Sequence, residues 1–246
     1  DRQPGTAQSD ARSGVGAASV SSGEHQGFEA QPAAADATPA AMAGAEDQLA
    51  EQIAGNGPLK LAASVVDNRD GGRVHGGHDS LITTSVLANT TGEITAGSRL
   101  DVTATTLGNA SGLIAAGTDL NLTGAEMGNR SGSLAAIEGG LTLTASGLTS
   151  NVGGHIAAAR SLTLASGELD NTRGTLVASS ATVTSRGPLA NRDGHIVASG
   201  SQDAGTLAIT SGPLDNQGGL IQASGHLLID TRGADLDVIR AADFVL

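Results

Sequence analysis

His155 and His195 are the side chains best suited by type to chemistry near neutral pH, since an imidazole can pass a proton or ligate a metal. Each falls four residues after an asparagine, Asn151 and Asn191, and Thr175 holds the same place after Asn171. If these segments stack, the two rings stand two layers apart, about 9–10 Å. That is too far for a shared metal bonded at about 2.0–2.1 Å. The carboxylates Asp119, Glu138, Asp170 and Asp215 read as scattered over different columns, whereas sugar-cleaving chemistry needs carboxylates paired across one bond. Arg69, Arg130, Arg173 and Arg192 fall near asparagines of the same kind. They suit a sparse basic ridge for acidic glycans less well than solvated turn positions, given a net charge of -12. Gly76-Gly-His-Asp79 has the flavour of a glycine-rich calcium loop but occurs once, and such loops work in tandem. The expectation is a protein that is not an enzyme, with no catalytic residues, no cofactor and no metal site.

The asparagines that locate these residues are themselves periodic. Asn68, Asn89, Asn109, Asn129, Asn151, Asn171, Asn191 and Asn216 follow one another at steps of 21, 20, 20, 22, 20, 20 and 25 residues. Glycine comes three positions later, at Gly71, Gly92, Gly112, Gly132, Gly154, Gly174, Gly194 and Gly219. An aliphatic residue follows at plus five from the second unit on, and alanine at plus seven: Ala96, Ala116, Ala136, Ala158, Ala178, Ala198 and Ala223. An alternating pair such as Leu120/Leu122 or Leu162/Leu164 closes the unit. A fixed period of this length marks a solenoid. Apolar residues two apart share one face of a strand, so each unit is expected to hold two short strands, one at Ile-x-Ala and one at Leu-x-Leu. The glycine reads as a corner residue with positive φ. Strands this short need stacking at about 4.8 Å to stand in water, which aligns the asparagines into a buried ladder. The fold class is therefore all-β, a parallel β-helix of about eight coils with ~20-residue repeats. An alanine-rich helix array fits less well, because 36 glycines oppose helix and the apolar spacing is two.

Residues 1–56 are different material, rich in Ala, Gly, Ser, Gln and Pro without aliphatic periodicity. They read as a low-complexity linker, with helix formers over 40–54 that could cap the first coil. The repeat domain is expected over 57–246, with an irregular first coil from Gly57 to Ser85 and an extra residue after Asn68. The Leu148-to-Asn151 interval is one residue longer than usual and predicts a bulge. The polar insertion Ser199–Thr206 predicts a projecting loop. Leu236, Val238 and Ile239 could begin one more coil.

Composition narrows the function classes. With no cysteine there is no disulfide framework and no thiolate metal site. With no Trp or Tyr, and only Phe28 and Phe244, there are no aromatic platforms for stacking sugars. Net charge and the absence of basic clusters argue against nucleic acid, and no apolar run is long enough for a transmembrane helix. The chain begins at Asp1 without a secretory signal, which reads as a processed or excised piece.

The units Leu169-Asp-Asn-Thr-Arg-Gly-Thr-Leu-Val-Ala178, Leu189-Ala-Asn-Arg-Asp-Gly-His-Ile-Val-Ala198 and Leu214-Asp-Asn-Gln-Gly-Gly-Leu-Ile-Gln-Ala223 closely resemble the filamentous haemagglutinin repeat. The likeness runs from about Leu59 to Ile229. The resemblance implies a right-handed β-helical shaft of a Gram-negative exoprotein, secreted or at the cell surface. It also implies export through an outer-membrane two-partner secretion transporter. Such proteins act as adhesins toward a host or bacterial receptor or glycan, or as stalks of contact-dependent inhibition toxins. The repeat carries no catalytic residues to transfer, and neither a secretion domain nor a toxin domain is visible between Asp1 and Leu246. A β-helical polysaccharide lyase or glycan-binding module is the alternative that the fold leaves open.

Overall fold

The computed structural model describes residues 20–21, 40–41, 52–201 and 205–237. Parallel strands stack in register into a β-solenoid of about 9 turns. One sheet runs through Gln52–Gly55, Arg73–Gly76, Glu93–Ala96 and onward to Leu220–Ala223, the Ile-x-Ala strands of successive coils. The other carries the Leu-x-Leu strands. Equivalent positions pair without slippage, Leu100 with Leu120 and Leu120 with Leu141, Ile94 with Ile114 and Ile114 with Leu134. The period in the sequence is thus the circumference of one coil.

The core is a set of aliphatic files along the axis. Ile94, Ile114, Ile156 and Ile196 lie fully buried in one, and Leu100, Leu120 and Leu141 in another. Ala96, Ala116, Ala136, Ala158, Ala178 and Ala198 are buried in a third, and Ala223 is half-buried at the last coil described. Alternation of buried and exposed residues along each strand follows from the two-residue period of the pleat.

Three features differ from the sequence expectation. The first concerns extent. The solenoid starts at Gln52–Gly55, which pairs in parallel with Arg73–Gly76, so the end of the 40–54 span read as helix is strand. Ala40–Ala41 pairs antiparallel with that same strand, and residues 42–51 lie outside the described residues. This coil precedes Asn68, which is why counting asparagines comes out one short.

The second concerns the strands of each coil, which number three stretches rather than two. In the coils from Leu59 to Gly128 the second and third stretches are one nine-residue strand, as in Leu100–Gly108. After Leu120–Gly128 the sheet forks. That strand pairs both with Leu141–Ala145 and with Leu148–Ser150, and the branches continue separately to Leu227–Asp230 and Leu236–Asp237. The segment before each asparagine, which the two-strand reading left unassigned, is therefore a strand, with Leu107, Leu169, Leu189 and Leu214 pointing inward. Leu236 extends this file by pairing with Leu214, while Val238 and Ile239 lie outside the described residues. Of the insertion Ser199–Thr206, residues 202–204 also lie outside them.

The third concerns the glycine. Positive φ falls two residues after the asparagine, at Thr91, Ser111, Ser131, Gly153, Arg173, Asp193 and Gly218. The glycine at plus three has ordinary φ and a different task. A Cβ at Gly112 would run into the backbone carbonyl oxygen of Asn89 and stand 2.6 Å from the Asn109 side-chain oxygen. The same collision recurs at Gly92, Gly132, Gly154, Gly174, Gly194 and Gly219. Glycine is needed because the neighbouring coil passes too close for any side chain. In the irregular first coil Gly72, not Gly71, fills this place, since Arg73 pairs with Glu93, and the extra residue is taken up at Asp70 and Gly71, both with positive φ.

Candidate functional site

The asparagines form one continuous buried chain. Asn68 Nδ2 donates to Asn89 Oδ1 at 2.7 Å, Asn89 to Asn109 at 2.6 Å, Asn109 to Asn129 at 2.7 Å and Asn129 to Asn151 at 2.7 Å. Asn151, Asn171 and Asn191 continue the series to Asn216 at 2.7, 2.6 and 2.6 Å. Each interior amide also donates to two backbone carbonyls, as Asn109 does to Gly112 and Ser133. These contacts use the full donor capacity of the side chain, so the ladder is a structural device that offers nothing outward.

Several charged groups form small self-compensating sets at the surface. Asp67 accepts from Arg69 at 2.5 Å, and that hydrogen bond holds its carboxyl below the usual aspartate range. Arg192 pairs with Asp215 from the adjacent coil. Arg69 and Arg192 are thereby matched with carboxylates, which argues against a basic ridge. Arg99 pairs with Asp101 at 2.9 Å, and that hydrogen bond, aided by the charges of Asp101, Asp119 and Asp79, raises its pKa. Asp79 Oδ1 accepts the Arg99 backbone N–H at 3.2 Å and Asp119 accepts that of Gly140 at 2.8 Å. Asp79 of the glycine-rich loop thus serves the backbone.

His155, Thr175 and His195 stand in one file as expected, both histidines exposed and separated by an intervening coil. The carboxylates correct one expectation. Asp170 and Asp215 share a file, with Ala190 between them, and Asp237 follows. The strand before each asparagine, unassigned in the two-strand reading, is what aligns them. One coil, that of Ala190, still separates Asp170 from Asp215. Among the described residues no three or more His, Asp or Glu side chains are grouped to hold a metal.

One feature of the outer surface escaped the sequence reading. At the fork a hollow of about 210 Å³ opens between Thr106, Glu126, Leu148 and Ser150, floored by the backbone at Leu107 and from Met127 to Gly128. The extra residue is taken up at Ser146–Gly147, before the Leu148-to-Asn151 interval where the bulge was expected, and these two N–H groups donate to Gly124 and Ala125. Its effect is to turn Leu148 outward, 43% exposed, and to bury Thr149 in the file of Met127 and Leu169. The Thr149 hydroxyl has no hydrogen-bond partner there. The signal was present in the extra residue between Leu148 and Asn151 and in the two glycines, Gly108 and Gly128, directly before asparagines.

A family model, the haemagglutinin repeat, matches residues 33–136, 136–212 and 201–239. The chain belongs to the haemagglutinin repeat family. The repeat seen in the sequence is the coil seen in the structure. Comparison with curated proteins and with solved structures finds no match. The family is a structural, adhesin-type one, typically secreted or surface-exposed. No helix is long and apolar enough to cross a membrane among the described residues.

Proposed function

We propose that this haemagglutinin repeat chain is a shaft segment of a secreted or surface-exposed bacterial filament, and that it acts by reach, display and adhesion. The observation that carries the reading is the unbroken ladder from Asn68 to Asn216. A chain that commits a buried amide in every coil to the next coil is built for length. Catalysis asks instead for convergent groups in one concave place, whereas Asp67, Asp101 and Asp215 are each taken up by an arginine. Export through an outer-membrane transporter of the two-partner type, and contact with a receptor or glycan on another cell, belong to the same reading.

Immunogold labelling of intact cells producing the protein tests it. Label should decorate the exterior, and small-angle scattering of the purified chain should give a rod. Label confined to permeabilised cells, with no loss of adherence on deletion of the gene, would overturn the proposal.

A further inference from the structure

We infer that the hollow at the fork is a binding site for a single sugar ring that is uncharged or carries an amine. The argument starts from an arrangement that stability alone would not select. Leu148 and Thr149 are adjacent, and their order leaves the leucine in water and an unpartnered hydroxyl in the core. The reverse order would satisfy both. Local conflicts of this kind concentrate at functional places.

The outward file that enters the hollow at Gly128 and Ser150 repeats the signal. Ala88, Gly108, Gly128, Ser150 and Asp170 form one outward file. Side chains are tolerated on either side of the two glycines, and a Cβ would meet nothing nearer than 3.8 Å at Gly108 or 3.6 Å at Gly128. Neither has positive φ. Nothing in the backbone demands glycine, unlike Gly112 or Gly132. Glycine within a strand often marks a place where a ligand approaches the main chain closely.

The ligand follows from size and charge. About 210 Å³ suits one ring rather than an extended chain. Leu148 offers an apolar wall for the C–H face of the ring. Glu126 supplies a carboxylate that accepts from ring hydroxyls or an ammonium, and Thr106 and Ser150 supply hydroxyls at the rim. Glu168 follows Leu148 in the same file, so an acidic sugar meets repulsion. The inference goes beyond the shaft reading, which stands or falls on surface labelling.

The test is a nitrogen-15 NMR titration of the whole chain with methyl glucopyranoside, glucosamine and glucuronate. Saturable shifts centred on Glu126, Gly128 and Leu148 are expected with the first two sugars and not with glucuronate. Gly128→Val fills the hollow with a strand-favouring side chain. It should weaken binding at least tenfold while leaving the melting temperature unchanged or higher, which separates lost binding from lost folding. Glu126→Gln should reduce the preference for glucosamine over the neutral sugar. Shifts that survive Gly128→Val, no saturable shift with any sugar, or glucuronate binding as tightly as the others would each overturn the inference.

Discussion

Two kinds of glycine in this chain look alike in the sequence and differ in what they tolerate. Gly112→Ala would drive a methyl group into the Asn89 carbonyl of the adjacent coil, and the coil spacing cannot yield without breaking its own ladder. A loss of about 4 kcal/mol or more is expected, beyond the usual range of point changes. Gly108→Ala meets only an ordinary contact with the Leu87 carbonyl oxygen at 3.8 Å and should stabilise by about 0.5–1 kcal/mol through lower unfolded-state entropy. Denaturant melts of the pair check both signs. Thr149→Val removes the unpartnered core hydroxyl while keeping its shape, and should raise stability by about 1 kcal/mol in the same measurement. Asp67 gives a pH-dependent case. Arg69 depresses its folded pKa, so its contribution is present above the unfolded aspartate value and fades as pH falls through the folded one. The pair is solvent-exposed and the effect small. Asp67→Asn should therefore lower the melting temperature slightly at neutral pH, and the difference should vanish in acid.

Among the elements, the asparagine ladder is the one whose failure spreads. Asn109→Ala removes the acceptor for Asn89 and the donor to Asn129, Gly112 and Ser133 at once. Leaving several buried groups unmet should cost about 3 kcal/mol or more, since each carries about 1–3 kcal/mol. Hydrogen exchange should report it as local opening of the coils on either side. This ladder was legible in the sequence because the residue type and the 20-residue step both point to it, and so were the Ile-x-Ala and Leu-x-Leu strands. The third strand was not. Its inward file holds one residue per coil, such as Leu107 or Leu189, and one residue shows no alternation. Register across coils was equally hidden there, which is why Asp170 and Asp215 seemed unrelated. The role of the plus-three glycine was hidden for another reason: a close approach between coils is a tertiary fact, and in one dimension it looks the same as a turn.

For the whole molecule, stability should be nearly a sum over coils and their interfaces. Excising residues 110–129, one period, rejoins Asn109 to Arg130 with every file intact. That variant should keep its β-type circular dichroism and lose only one coil's share of its unfolding enthalpy. Excising 110–119 puts the chain half a circumference out of phase and should abolish cooperative melting. The hollow at the fork was half legible at this scale. The long Leu148 interval marked a bulge, but which of two neighbouring residues turned outward depended on the pairing of Thr149 with Met127.

Every amide in the ladder donates toward the higher-numbered coil, and the two carbonyls each one also engages keep it from turning round. The molecule is therefore one-way along its axis, with its small dipoles added head to tail. Each finished rung presents its asparagine side-chain N–H to the asparagine of the rung that comes next. A chain winding from its amino end would find each new turn met by a waiting amide hydrogen.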